Sequence, residues 1–246
     1  MRNHLIFIAI MIASTPVIGK SLELVSLEYP PYIFQEKGKV KGIAVDLVLE
    51  ALKRSGHSAT IKIHPWVRSL KQVESGSADA IFTIYKNPDR EKFADFSNEV
   101  LIPQTVSFFS KKDSNFKYNG NLESVSKYKI GVVRGVSYGK IFDDAVKSGQ
   151  LKSIDESNNA NANFKKLLKG RFDLLVSNKY GALFISKKTN SSNLIKEISP
   201  PLQTVPSYIA FSKKRGLSHI RDEFDSALRS MKSDGKYKEI IDSYTK

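Results

Sequence analysis

The sequence has no cysteine in its 246 residues. Disulfides, thiolate zinc sites and lipid attachment at a cysteine near the N-terminus are therefore excluded. Histidine is almost as scarce: His4, His57, His64 and His219 are dispersed, with no pair at the spacing of helix or strand ligands, so no metal site is indicated. No glycine-rich or other motif calls for a cofactor. Long apolar runs are missing after the N-terminus, so the mature chain is expected to be soluble. Acids are also in deficit, 25 against 39 Lys and Arg, which gives a formal net charge of +14.

The first nineteen residues, MRNHLIFIAIMIASTPVIG, have the plan of a secretory signal peptide. Arg2 comes first, then an apolar stretch from Leu5 to Ile12, then small residues and Pro16, with Val17 and Gly19 suited to cleavage before Lys20. The apolar stretch is too short to span a bilayer. An exported chain without cysteine points to a free protein in a bacterial periplasm, with no lipid anchor. Losing Arg2 with this segment lowers the charge from +14 to +13. The lysines lie in scattered pairs such as Lys111-Lys112 and Lys187-Lys188, without aromatics interleaved for base stacking, so no nucleic-acid partner is expected. They read mainly as solvated faces, with a bias toward an anionic ligand or lipid surface.

Hydrophobic residues make up 41% of the chain, enough for one large or two small domains. The stretch Gly76–Ser97, GSADAIFTIYKNPDREKFADFS, organises the rest. Ala80 to Thr83 reads as a buried strand, Lys86 to Asp89 as an open loop at its carboxyl end, and Arg90 as a fork of donors suited to a carboxylate. Phe93 and Phe96 anchor the segment behind it. On these residues alone, a solvated charge in a polar turn is the preferred reading of Arg90.

Earlier in the chain, Leu22–Val25 reads as a first strand, and the loop Glu28-Tyr29-Pro30-Pro31-Tyr32 points a carboxylate and two phenols past its end. Lys37–Gly42 forms a hairpin-like connection, and Ile43, Leu47, Val48, Ala51 and Leu52 fall at helical spacing. Thr60–Ile63 is a second strand, followed by Trp66 and Arg68. Trp66, the sole tryptophan, fits either a cleft wall or a core. Beyond Ile102–Phe109, extended and carrying Pro103, a second α/β unit begins. It holds the strand Ile130–Val133, a Gly-x-Ser turn at Gly135-Val136-Ser137 followed by Tyr138, and Arg171–Asn178, which repeats the Gly-x-x-Asp-strand plan of the opening stretch. The turn offers backbone N–H groups and a hydroxyl to an anion, or is an ordinary helix cap. The end of the chain reads helix, Asp234-Gly235, helix.

The order and spacing of these pieces, including Asp79-Ala80-Ile81-Phe82 before Arg90, Pro65-Trp66-x-Arg68 and the closing Ser-Asp-Gly-Lys-Tyr, resemble the polar amino-acid family of type II periplasmic solute-binding proteins. The resemblance runs along the whole mature chain. It implies an α/β, two-lobed Venus-flytrap fold, each lobe a mixed sheet flanked by helices, with two hinge crossings. Lobe 1 would be 20–103 with 206–246, and lobe 2 would be 104–205. It implies a monomer that passes a solute to a membrane ABC permease. Glu28, Tyr32, Trp66, Thr83 and Arg90 would face Ser137, Tyr138 and Asn178 across the cleft, with Arg68 at the cleft, at the surface or between the lobes. Arg90 and the Ser137 turn would clamp a carboxylate.

Two departures narrow the expectation. Asn178 stands where the family commonly has an Asp for the ligand's ammonium, and an amide supplies no charge. The loop before Arg90 is one residue short, with Ile84, Tyr85 and Lys86 where small hydroxyl residues are common. The solute is therefore expected to be small and anionic or zwitterionic, with Glu28 replacing the missing carboxylate or the ammonium absent. A dehydratase resembling the cyclohexadienyl dehydratases, with Glu28 as general acid beside Arg90, is the enzyme alternative. A soluble sensor for a membrane receptor is the other.

Overall fold

Short apolar strands separated by one-sided helices build a single mixed sheet with helices on both faces. The computed structural model describes residues 19–245, so the expected signal peptide, apart from Gly19, lies outside the described residues. The chain opens with β1 (Ser21–Ser26), the hairpin β2 (Phe34–Glu36) and β3 (Lys39–Lys41), α1 (Ile43–Arg54), β4 (Ser58–Ile63), α2 (Trp66–Ser75), β5 (Ala80–Tyr85), α3 (Pro88–Glu91) and β6 (Ala94–Phe96). β7 (Ile102–Lys111), β8 (Ile130–Val133), α4 (Lys140–Lys147), β9 (Ile154–Ser157), α5 (Ala160–Leu168), β10 (Leu174–Asn178) and α6 (Lys179–Lys188) follow. The long β11 (Ile195–Ser212), α7 (Ser218–Ser233) and α8 (Lys236–Thr245) complete it.

The strand order is β4-β1-β5-β11-β7-β10-β8-β9, with β6 also paired to β11. β1 is parallel to β4 and β5, and β8 is parallel to β9 and β10, while β7 and β11 run antiparallel to each other and to their neighbours. The molecule therefore has two lobes, each with its own parallel strands, and the antiparallel pair β7 and β11 serves both. That division is physical: Leu24, Leu47, Phe82, Phe211, Phe224 and Leu228 pack in one core, and Val106, Phe108, Ile130, Phe142, Leu174 and Val176 in another. Burying each such side chain stabilises by ~1.5–3 kcal/mol.

Two local devices fix the elements that reach the cleft. Gly42 has φ +134, and a Cβ there would sit 2.4 Å from the Tyr32 carbonyl oxygen. The close approach lets Ile43 N–H and Ala44 N–H donate to the carbonyls of Pro31 and Tyr32, which pins the Pro-Pro loop to the start of α1. On the far side, the buried Asp225 of α7 accepts from both the backbone and side-chain nitrogens of Asn98 and from Glu99 N–H, at 2.8–3.0 Å.

The open loop expected before Arg90 is shorter than the sequence suggests. β5 continues to Tyr85, and Pro88–Glu91 closes into one helical turn, because Asn87 caps it by accepting from Arg90 N–H at 2.9 Å and Pro88 occupies its first position. Among the described residues, no helix is long and apolar enough to cross a membrane.

Candidate functional site

β5 is buried along its whole length, and a bulge interrupts it at Thr83. Tyr208 pairs with Ile84 and Ile209 with Phe82, leaving Thr83 unopposed, with φ +60. A β-branched residue in the left-handed region costs on the order of 1–3 kcal/mol, and such strain collects where a side chain has to be aimed. Here Thr83 is aimed at a cavity between the lobes, while its hydroxyl donates to the Phe82 carbonyl at 2.6 Å. The cavity measures about 40 Å³. That is room for a few waters and far below the ~300 Å³ of a small-molecule site, so a solute enters only when the lobes part.

Arg90 is the one charged side chain among the described residues lining this cavity, and it is 6% exposed. Its Nη1 donates to the Tyr85 carbonyl at 2.8 Å, its Nη2 donates across the cleft to the Gly135 carbonyl at 3.4 Å, and its guanidinium lies 5.5 Å from the centre of the Trp66 ring. No carboxylate among the described residues pairs with it. Burial pulls its pKa down to about 10, against the weaker pull of Asp143 and Tyr85 toward the charged form. An Arg held this way has donors to spare for an anion.

Trp66 begins α2 directly after Pro65 and is both buried, at 4%, and on the cavity wall, which joins the two readings that its sequence position left open. Its Nε1 has no hydrogen-bond partner among the described residues. Asn178 lies at the boundary of β10 and α6, where its Oδ1 caps the helix by accepting from Gly181 N–H at 3.1 Å and its Nδ2 faces Gln104 Oε1 at 3.5 Å. Ser137 and Tyr138 line the cavity too, but their polar atoms are engaged within the protein. Ser137 Oγ donates to Asp143, Tyr138 N–H donates to the same carboxylate at 3.0 Å, and the Tyr138 hydroxyl accepts from Val133 N–H at 2.7 Å. Part of the anion cradle expected at this turn is thus taken up by the chain's own Asp143.

Glu28, Tyr32 and Arg68 are not on this wall. Glu28 is exposed in a neighbouring hollow with His64, Asn158 and Asn159, and Arg68 is exposed on α2. Tyr32 packs in the first core, stacked on Tyr29 with ring centres 5.4 Å apart. Of this loop's two phenols, Tyr29 lines the cavity, while Tyr32 hydrogen-bonds Asn178 of the wall from within the core. The hydroxyls of Tyr29 and Tyr85 both donate to Gln104 Oε1, at 2.9 and 3.0 Å, and Gln104 Nε2 donates to Ser207 Oγ at 3.0 Å. Gln104 and Asn163 are site residues that the sequence reading missed. A lone amide in an extended apolar run, and an asparagine on the Phe164–Leu167 face of a helix, were the available signals. Among the described residues no group of three or more His, Asp or Glu side chains is placed to hold a metal ion.

The lobes meet closely at Gly135, whose φ is +72 and where a Cβ would lie 2.8 Å from Val67 Cγ2. Gly135→Ala is expected to keep the lobes apart and weaken solute binding about tenfold, through strain on the order of 1–2 kcal/mol. Small-angle scattering of the solute-loaded variant should give a larger radius of gyration than the loaded wild type.

Two lobes sharing a pair of long strands, with a buried guanidinium in the cleft between them, define a two-lobed solute-binding protein. The sequence model of the bacterial extracellular solute-binding proteins, family 3, matches residues 24–246, and the chain belongs to that family. It is 26% identical over 241 residues to an arginine-binding periplasmic protein of Mannheimia haemolytica, covering 93% of each chain. It is 25% identical over 227 residues to the L-cystine-binding protein TcyJ of Escherichia coli strain K12, covering 90% of this chain and 81% of that one. Among solved structures, a histidine kinase sensor domain with similarity to periplasmic binding proteins superposes with a TM-score of 0.81 at 18% identity, covering 92% of this chain and 96% of the other.

Proposed function

We propose that this is a periplasmic protein that captures a small anionic or zwitterionic, amino-acid-like solute between its lobes and delivers it to a membrane ABC importer. The observation that carries this reading is Arg90: a cation buried in the cleft, with carbonyls as its hydrogen-bond partners, is stabilised most by a carboxylate arriving from solution. Relatives named for binding arginine and cystine support a solute of amino-acid size. The lobes are 20–103 with 206–246, and 104–205. They swing about the paired crossings where Gln104 lies opposite Val205 and Pro103 opposite Pro206. Closure is favoured by contacts that exist only when both lobes touch the solute. The carboxyl group that a dehydratase reading places beside Arg90, Glu28, is exposed in a separate hollow, so capture is preferred over turnover.

The test is a thermal-shift screen of residues 20–246 against amino acids, organic acids, amines and small sugars. A solute at 100 times its Kd stabilises by about 2.7 kcal/mol, so a true ligand moves the midpoint by several degrees. Failure of every carboxylate to do so counts against capture through Arg90.

A further inference from the structure

The polar groups of the cavity are unequally spent, and this imbalance deepens the solute reading on which it rests. All three side-chain amide oxygens on the wall already accept within the protein. Gln104 Oε1 takes Tyr29 and Tyr85, Asn178 Oδ1 takes Gly181 N–H, and Asn163 Oδ1 takes Ser157 Oγ at 3.2 Å. No carboxylate among the described residues lines the cavity. Donors, by contrast, are left over. Asn163 is 1% exposed and its Nδ2 has no partner among the described residues, Trp66 Nε1 has none either, and Arg90 meets only carbonyls. A buried donor without an acceptor costs ~1–3 kcal/mol, so the wall is complementary to a molecule that brings acceptors. An ammonium would find neither a charge nor a free amide oxygen, and burying one unpaired is costly.

We propose that the solute is a carboxylate without an ammonium group, gripped by Arg90 and carrying a further oxygen acceptor, a keto or second carboxyl oxygen, that takes the Asn163 Nδ2 hydrogen. Asn163 is then a specificity-determining residue. It sits on the lobe opposite Arg90, beside Phe164, so it tests the end of the solute that Arg90 does not hold.

The experiment is calorimetric titration with matched pairs that differ at the nitrogen: glutamate and 2-oxoglutarate, phenylalanine and phenylpyruvate, leucine and 4-methyl-2-oxopentanoate, and 4-aminobutyrate and succinate. At least one nitrogen-free member should bind, with its amino counterpart at least about tenfold weaker. Asn163→Leu should weaken that binding about tenfold by removing the donor. Asn163→Asp keeps the oxygen that Ser157 addresses and puts an acceptor where the donor stood; with its fold checked by circular dichroism in the same neutral buffer, it should bind the anion far more weakly than wild type. An amino member binding as tightly as its partner, or unchanged affinity in both Asn163 variants, overturns the proposal. If amino members bind and Arg90→Ala abolishes it, solute capture stands and this inference alone falls. If no carboxylate binds at all, both fall.

Discussion

Arg90→Met abolishes carboxylate binding and at the same time raises the unfolding midpoint of the solute-free protein. The two effects have one cause. Burial pulls the guanidinium well below its ordinary value, to about 10, so holding it charged inside the cleft costs about 3 kcal/mol. Its bond to the Tyr85 carbonyl and its place over Trp66 return roughly 2 kcal/mol of that. A methionine of similar volume sheds the penalty along with the contacts, leaving a net gain of about 1 kcal/mol, or roughly 2–4 °C. A solute carboxylate, however, loses the only cationic partner among the described residues lining the cavity. Removing one side of such a buried pair costs ~2–5 kcal/mol, so affinity should drop by a factor on the order of 100 to 1,000. Calorimetry and differential scanning calorimetry read the two effects separately. Binding that survives in Arg90→Met, or a large fall in the midpoint, would show that Arg90 is a structural cation.

Alkaline conditions should unfold the protein near pH 11. Burial holds the phenols of Tyr29, Tyr32, Tyr85 and Tyr138 neutral far above their ordinary 10, and pushes Tyr237 and Tyr244 up to about 12. In the unfolded chain these phenols ionise near 10. Their contribution is therefore complete below pH 10 and is lost as pH rises from there toward the folded-state values. At pH 11 each of the first four of these phenols withdraws about 1.4 kcal/mol, some 6 kcal/mol together. Arg90 works in the opposite sense, since its folded pKa lies below its unfolded one, and returns about 1 kcal/mol over the same interval. A net loss of ~4–5 kcal/mol is comparable with the whole stability of many domains. Phenolate absorbance and far-ultraviolet circular dichroism, followed together, should change in one cooperative step. Four phenols ionising near pH 10 with the fold intact would mean that the tyrosine cluster is open to solvent.

The elements were more legible in the sequence than the site. Gly76–Ser97 reads as strand, turn and Arg because its apolar run and its Asn-Pro-Asp punctuation are local signals, and the closing pair of helices is read in the same way. The first-lobe helix α1 is equally plain from its spacing. Edge strand β9, with the polar sequence Ile-Asp-Glu-Ser, carries no apolar period and was not foreseen. At the site, Arg90, Trp66, Thr83, Ser137, Tyr138 and Asn178 do come together on one cavity, because each stands just past a strand end or at a bulge. Tyr29 and Tyr32 illustrate the limit. Both phenols follow β1, and only the three-dimensional path of the Pro-Pro loop decides that the first reaches the cavity and the second the core. Gln104 and Asp143 were beyond reach for a similar reason. The partners of Gln104 lie at residues 29, 85, 178 and 207, and the Asp143 carboxylate turns back on residues 137 and 138, so neither role is written in a neighbouring pattern.

Trp66 is the only indole in the chain; among the described residues it packs against the one cation lining the cleft, and its own N–H has no partner. Every photon emitted from a tryptophan in this protein therefore originates at the mouth of the moving part. The molecule carries an intrinsic optical gauge of its own opening, one that needs no label and, excited at wavelengths its ten tyrosines do not absorb, has no second emitter to dilute it.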